Sequence, residues 1–200
     1  MLGISQKISM RSAMGILLFA GSVQFIISIL IAEGIVLNYS SAVHYVSTLG
    51  VGSTAFIFNF SVLILGLCII LCSYFLKKEY QESISSLLLL LSGICTTGVA
   101  LFPENSRPFH GIFTGFTFLF AALFLVSVIK IEQSPIPMFI SIGGIILLIS
   151  LFIFFPYLGL EVDSTEKFLG LMKGTLERFI IYLTISCFLV FAGYFGREFK

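Results

Sequence analysis

The chain has no tryptophan, only two histidines and few charged residues. Asp, Glu, Lys and Arg make up 10% of its 200 residues, whereas a soluble domain usually has about 25%. The net charge of +1 gives no reason to expect nucleic acid as a partner. Apolar residues make up 58% of the chain, and they occur in long blocks instead of periodic stripes. This composition excludes an ordinary soluble domain and indicates an integral membrane protein.

Cysteine is scarce as well, and its placement argues against disulfides and metal sites. Cys68 and Cys72 share a helix face, but no histidine lies nearby in the sequence to complete a ligand set. Cys95 and Cys187 also fall within apolar blocks, as small buried side chains do. We therefore expect no metal centre and, except in the haem interpretation below, no cofactor.

Six apolar blocks follow one another, each near the ~20 residues that a bilayer requires. Backbone polar groups in hydrocarbon must bond to one another, which favours helices, and the alternating segments of a membrane barrel are absent. The predicted fold class is all-α: a polytopic transmembrane bundle of about six helices, in a single domain over residues 1–200. The predicted helices cover residues 12–37, 54–76, 84–102, 110–130, 138–155 and 177–195. Residues 163–166 (Asp-Ser-Thr-Glu) resemble a capping box and predict a further short helix in the interface.

Basic residues predict the orientation of the bundle. Positively charged loops remain in the cytoplasm, so the side with more Lys and Arg is the inner one. Both termini are on that side, which predicts a multi-pass protein of the cell membrane with cytoplasmic N- and C-termini. The inner residues are Lys7, Arg11, Lys77, Lys78, Lys130, Arg197 and Lys200, and the outer ones are Arg107, Lys167, Lys173 and Arg178.

Ionisable residues concentrate at the outer ends of the predicted helices. Such groups are costly near hydrocarbon, so they usually pair with one another or line a wet cavity. The group comprises Glu33, His44, Glu104, Arg107, His110, Glu177 and Arg178. Three interpretations of it remain open.

In the first interpretation the residues form a structural polar network. Its members are Glu104, Arg107, His110, Glu177 and Arg178, with Glu177 and Arg178 pairing with Arg107 and Glu104. The protein would then be a non-catalytic accessory or structural subunit of a membrane complex. Its partners would be membrane lipids and other subunits of that complex.

In the second interpretation the same end of the bundle is catalytic, which leaves open whether the protein is an enzyme. His44 or His110 would act as general base, Ser47 as nucleophile, and Glu104 or Glu177 as orienting carboxylate. The substrate would be a lipid head group at the outer leaflet, either bound or modified.

In the third interpretation His44 and His110 are the two axial ligands of a haem held between the second and fourth helices. Their similar predicted depth permits this arrangement.

Three stretches at the outer helix ends resemble the domain-of-unknown-function 998 family of prokaryotic, often archaeal, membrane proteins. Residues 45–50 (Tyr-Val-Ser-Thr-Leu-Gly) resemble its Tyr-Ile-Ser-Asp-Leu-Gly signature. Residues 98–104, followed by His110, resemble its Gly-x-Phe-Pro-Glu and His, and residues 174–178 resemble its Gly-x-x-Glu-Arg. The resemblance implies a bundle of six or seven helices and marks Ser47, Glu104, His110, Glu177 and Arg178. The family's Asp is Thr48 here, so any acid or ligand role of that Asp does not carry over.

Overall fold

The computed structural model describes residues 8–158, 160–161 and 163–197. This part of the chain contains six long helices, each long and apolar enough to cross a membrane. The predicted all-α bundle of about six transmembrane helices is therefore confirmed. The helices are α1 Met10–Ile35, α2 Ala55–Tyr80, α3 Ser83–Leu101, α4 Phe109–Ser127, α5 Pro135–Phe154 and α6 Lys173–Phe195.

Local sequence signals place the ends of these helices. The side-chain oxygen of Ser9 accepts a hydrogen bond from the Ser12 N–H and caps α1, and the Glu82 carboxylate caps α3 in the same way. Pro135 occupies the first turn of α5, where its missing N–H costs nothing. Helix α2 continues four residues beyond its predicted end, because Lys77 and Lys78 are favourable in a last turn.

The prediction of a short helix opened by the capping box at residues 163–166 was wrong. The segment leads instead into a two-stranded antiparallel hairpin, β1 Lys167–Phe168 and β2 Leu171–Met172. Leu169 and Gly170 both have positive φ angles, as in the two-residue turns that match strand twist. The turn residues and the strands that they join outweigh the capping box. Helix α6 then begins at Lys173, four residues before its predicted start.

The six helices form a closed ring. Each helix packs on the next one in the sequence, and α6 packs on α1. Helices α2 and α3 approach each other closely through Gly66 and Gly93, because a Cβ at Gly93 would lie 2.9 Å from the Ile70 nitrogen. Helices α4 and α6, which are not neighbours in the ring, also make a small contact.

The bundle has two distinct ends. We call one the site end; it is formed by the connections at residues 36–54 and 102–108 and by the described residues 155–158, 160–161 and 163–172 of the connection between α5 and α6. The other, the terminal end, carries the connections at residues 81–82 and 128–134 together with Ile8 and Arg197. Aromatic packing fills the half of the bundle nearer the terminal end, where the ring of Phe124 lies 5.3 Å from that of Phe191. The other half has a different interior, described next.

Candidate functional site

Arg178 is the centre of a buried polar cluster that joins three segments at the site end. Its guanidinium forms an ion pair with Glu33 of α1, with 2.6 Å between Nη2 and Oε1. The same group donates to the hydroxyl of Tyr39 and to the carbonyl oxygens of Ser41 and His44. Arg178 therefore attaches α6 to α1 and to the connection between α1 and α2.

Close packing at Gly174 brings that connection to Arg178. A Cβ at this position would collide with the carbonyl oxygens of Ser41, Ala42 and His44, so only glycine lets the loop lie on the first turn of α6. The Gly174 carbonyl also accepts a hydrogen bond from Arg178, at 3.1 Å. Glycine and arginine thus act together to hold the loop.

The predicted pairing of Glu177 and Arg178 with Arg107 and Glu104 is not what the structure shows. Arg178 pairs with Glu33, and Arg107 pairs with Glu104 of its own loop, with 3.0 Å between Nη2 and Oε1. Glu33 is half-buried on the last turns of α1, next to α6 in the closed ring, whereas Glu104 and Arg107 are three residues apart in one short loop. Arg107 and Glu104 pair because they are close in the sequence, and Arg178 and Glu33 pair because α6 packs on α1.

His44 belongs to the rim of this region. Its Nδ1 accepts a hydrogen bond from the Ser40 N–H at 2.9 Å, so the ring hydrogen is on Nε2. That nitrogen lies 3.1 Å from Oδ1 of Asp163, a carboxylate that is almost fully exposed. The imidazole also lies near the ring of Tyr39, with 5.3 Å between centroids. Both ring nitrogens are thus used in holding loops together.

Burial raises the pKa of two tyrosines in this loop. The pKa of Tyr39 rises to about 12 because its ring is buried, although the nearby Arg178 guanidinium opposes the shift. Burial also raises the pKa of Tyr45 to about 12, with the Glu177 carboxylate adding to the effect. Both phenols are therefore neutral hydrogen-bond donors at physiological pH.

Glu177 faces away from this cluster, into the interior of the bundle. Its carboxylate accepts hydrogen bonds from the backbone N–H groups of Val46 and Ser47 at the start of a short 3-10 helix, Val46–Gly50. It takes part in none of the ion pairs among the residues that the structure describes. Glu104 and the adjacent Arg178 are both close enough to interact with it electrostatically. Glu177 is thus a buried carboxylate held by backbone donors and not by a cation.

His110 lies on the facing helix. Its Nδ1 is 2.8 Å from the carbonyl oxygen of Phe102, which can only accept, so Nδ1 carries the hydrogen. In the neutral imidazole Nε2 is then an acceptor, and the hydroxyl of Thr114 lies 3.3 Å from it. The side chain is buried.

Ser47, His110 and Glu177 line one internal cavity of about 70 Å³. The lining residues recur at helical spacing, with one face each of α2, α3, α4 and α6 turned inward. From Phe58 to Ile69 on α2 the cavity follows about 16 Å of helix, at ~1.5 Å per residue. The other residues of the wall are Phe25, Val62, Leu65, Ser92, Thr96, Val99, Thr114, Thr117, Phe118, Ala121, Ile181, Thr184, Ile185 and Phe188.

The long walls of the cavity are apolar although they contain several hydroxyl residues. Thr96 and Thr184 donate to the carbonyl oxygens of residues one turn earlier, and Ser92 donates to the carbonyl of Thr117. The polar groups are thereby used within and between the helices. The cavity is a narrow apolar slot with a polar end at Ser47, His110 and Glu177.

Two hydroxyls of this wall have no hydrogen-bond partner. The Oγ of Ser47, a residue 9% exposed, bonds to no residue that the structure describes, and the buried Oγ1 of Thr117 is also unpaired within that part of the chain. Fully buried polar groups are seldom left unpaired, so the Oγ1 of Thr117 requires an explanation, whereas Ser47, whose Oγ is not fully buried, lines the cavity. Ser47 also makes no bond to His110, so the nucleophile and general base of the catalytic interpretation are not joined.

Side chains cover the polar end of the slot. Lys173 is the first residue of α6, one helical turn before Glu177, and is fully buried. Its Nζ donates to the Glu161 carbonyl oxygen and lies 5.2 Å from the centroid of the Tyr45 ring. The hydroxyl of Tyr45 donates to the carbonyl of Tyr157 at 2.7 Å. This layer separates the slot from the surface at the site end.

The structure therefore separates the predicted site residues into two groups that the sequence had not distinguished. Ser47, His110 and Glu177 share the cavity, with Glu104 beside it, whereas Arg178 and His44 hold loops. For the haem interpretation His44 would have to leave both its partners, and it does not line the cavity that His110 lines. The sequence assigned no role to the cavity threonines or to Glu33 as the partner of Arg178. The helical spacing of Thr114 and Thr117 after His110 could have indicated that these threonines share a helix face with that histidine.

These features define a polytopic α-helical membrane protein with a buried polar pocket at one end of its bundle. The chain belongs to the family described as Protein of unknown function (DUF998), whose profile matches residues 19–194. The resemblance predicted from the three motifs is thereby confirmed. No curated protein and no solved structure matches the chain.

Proposed function

We propose that this protein binds a membrane lipid, with one hydrocarbon chain in the slot and the polar head group at Ser47, His110 and Glu177. The observation that carries the proposal is the hydroxyl of Ser47, which has no partner among the described residues and lines the end of an apolar cavity together with Glu177. A ligand group that donates and accepts there would satisfy it. The proposal retains the lipid-binding alternative and gives the structural role to Arg178.

The shape of the slot favours a single chain. The slot is narrow, because its volume of about 70 Å³ is roughly that of two water molecules, so its walls must move apart to admit a chain. It follows about 16 Å of helix, which is close to half of the ~30 Å hydrocarbon core. A ring system or a pair of chains would need a wider cavity. A chain that begins at the site end and ends near the bilayer midplane fits this length.

The polar end favours an uncharged or cationic head group with hydrogen-bond donors. Glu177 and Nε2 of neutral His110 both accept hydrogen bonds, whereas the charge of Glu104 is paired with Arg107. A phosphate would bring a like charge to this end. Hydroxyl, amide and amine head groups are therefore the ones to examine first.

We propose binding and not hydrolysis. A serine hydroxyl needs a hydrogen-bonded base to become a nucleophile, and Ser47 lacks one in the described part of the chain. The alternative of a non-catalytic accessory subunit in a membrane complex is favoured by the Arg178 cluster, which holds three segments without any ligand. It leaves the slot and the unpaired Ser47 hydroxyl unexplained.

The orientation of the bundle is part of the proposal. The excess of Lys and Arg at the terminal end supports cytoplasmic termini in a cell membrane. The slot would then lie in the outer leaflet.

Lipid analysis of the purified protein tests the proposal. We expect a single-chain lipid, or one chain of a larger lipid, to co-purify in mild detergent and to be detected by native mass spectrometry. Ala121→Leu should lose it, because Ala121 lines the slot and is 1% exposed, so the larger side chain occupies the space of the ligand. Ala20→Leu, on the exposed surface of α1, is the matched control and should keep it.

A second variant protects this test against misfolding. Ser47→Ala removes the unpaired hydroxyl without adding volume, and should lower lipid occupancy at an unchanged melting temperature. A wild-type protein without lipid, or Ala121→Leu and Ser47→Ala proteins with full occupancy, would overturn the proposal. Co-purification of another membrane protein in place of lipid would favour the accessory-subunit alternative.

A further inference from the structure

The side of the slot formed by α4 is incompletely closed. Within α4, which the structure describes in full, no residue between His110 and Ala121 is buried. Thr114, Thr117 and Phe118 line the slot and are nevertheless half-buried, whereas Ser92, Thr96 and Thr184 on the other walls are buried. Apart from Val99 of α3, the half-buried residues of the wall are thus all on α4.

Helix α4 meets α5 near the terminal end. A Cβ at Gly144 of α5 would lie 2.8 Å from the Ala122 carbonyl and 2.7 Å from the Val126 nitrogen. The hydroxyl of Ser141 donates to the carbonyl of Leu125 at 3.2 Å. These contacts fix which side of α4 faces α5.

The same side of α4 carries two glycines farther toward the site end. Gly115 and Gly111 stand seven and eleven residues before Ala122, so all three lie on one side of the helix. A Cβ at either glycine would meet nothing within 4 Å. Helix α4 therefore contacts α5 at Ala122, whereas two turns away, at Gly115, the same side of α4 faces open space. A gap therefore lies between α4 and α5 in the half of the bundle nearer the site end.

The end of the slot offers no comparable opening. Tyr45, Tyr157 and Lys173 are 7%, 1% and 0% exposed and lie between the polar end and the surface. A ligand from water would have to displace this layer, including the hydrogen bond between Tyr45 and Tyr157. A ligand that enters through the gap beside Gly115 would not have to displace this layer.

We infer that the ligand of the slot comes from the bilayer itself: a lipid of the leaflet at the site end inserts one chain sideways through the gap between α4 and α5. This inference rests on the proposed function and adds the source of the ligand and its route. The unpaired hydroxyl of Ser47 is what the head group meets once the chain is inside.

The absence of tryptophan from the chain allows a direct test. The ring of Phe58 lines the slot on α2 and is 4% exposed, so Phe58→Trp places a reporter inside it. The variant is reconstituted into phosphatidylcholine vesicles with brominated acyl chains, which quench tryptophan on contact. Phe124→Trp, buried outside the slot, sets the baseline, and the exposed Phe56→Trp sets the maximum.

We expect Phe58→Trp to be quenched above the baseline. Adding Gly115→Phe, which fills the gap, should abolish this quenching. Gly34→Phe is the matched control, because a Cβ at this exposed glycine of α1 also meets open space. It should leave the quenching unchanged.

The other outcomes separate the two proposals. Equal quenching with and without Gly115→Phe would overturn the route and leave the proposed function intact. Quenching of the double variant Phe58→Trp with Gly115→Phe by a brominated fatty acid added from water, in unbrominated vesicles, would show an aqueous route and also overturn the inference. No quenching of Phe58→Trp would overturn both, and the lipid analysis of the purified protein reports on the proposed function independently.

Discussion

Glu177 and Arg178 are neighbours in the sequence and have different surroundings. Consecutive positions on a helix point about 100° apart, so one side chain faces the slot and the other faces α1. Arg178 has a carboxylate, a phenol and several carbonyl groups around it. Glu177 has backbone donors and an open cavity. The structural and the ligand-binding roles therefore belong to adjacent residues, which the sequence motif alone had joined into one network.

Arg178→Ala should destabilise the protein strongly. It leaves Glu33 without its partner, and it leaves the carbonyl oxygens of Ser41 and His44 without their donor. Breaking a largely buried ion pair costs on the order of 3 kcal/mol. The measurement is thermal unfolding in mild detergent. Lys78→Ala, which removes an exposed cation from the last turn of α2, is the control and should change the melting temperature little. An unchanged melting temperature for Arg178→Ala would count against its structural role.

The connection between α5 and α6 shows where sequence signals fail. We call residues 163–172 the hairpin strap. Its capping-box sequence predicts a helix, but Tyr157, distant by ten residues or more, supplies the decisive contacts. The Tyr157 hydroxyl accepts from the Phe168 N–H at 2.9 Å and lies 2.7 Å from the Leu171 carbonyl, to which it donates. Local patterns contain no information about such a partner.

Tyr157→Phe should loosen the strap without unfolding the bundle. The hydroxyl is lost while the buried ring keeps its packing, so we expect a loss of stability of about 1 kcal/mol. Hydrogen exchange should accelerate at the Phe168 amide and its neighbours and remain unchanged within α2 and α3. Tyr74→Phe, at a position 56% exposed, is the control. Unchanged exchange at the strap would show that the tyrosine hydroxyl does not hold it.

The helices themselves were predictable, and the slot was predictable in part. Long apolar blocks identify membrane spans because length and hydropathy alone decide insertion. The slot-lining residues of α4, from His110 through Thr114 and Thr117, have the spacing of one helix face. What the sequence does not contain is which faces meet across the ring. The pairing of Glu33 with Arg178 depends on α1 lying beside α6, a contact between the two ends of the chain.

The distribution of charge over the whole molecule and the position of the slot together indicate which leaflet supplies the ligand. The slot begins at the site end and follows about half of a hydrocarbon core, so it serves one leaflet. The basic residues at the terminal end predict which leaflet that is. If the termini are cytoplasmic, the polar end of the slot lies at the outer face.

The orientation can be checked by labelling introduced cysteines in intact cells with a membrane-impermeant maleimide. Thr165→Cys is exposed at the site end, and Gln133→Cys is exposed in the connection between α4 and α5 at the terminal end. We expect Thr165→Cys to react in intact cells and Gln133→Cys to react only after permeabilisation. The unsubstituted protein is the control, because Cys72, Cys95 and Cys187 are buried and Cys68 is half-buried. The reverse pattern would place the slot in the cytoplasmic leaflet, and its ligand would then be sought among the lipids of that leaflet.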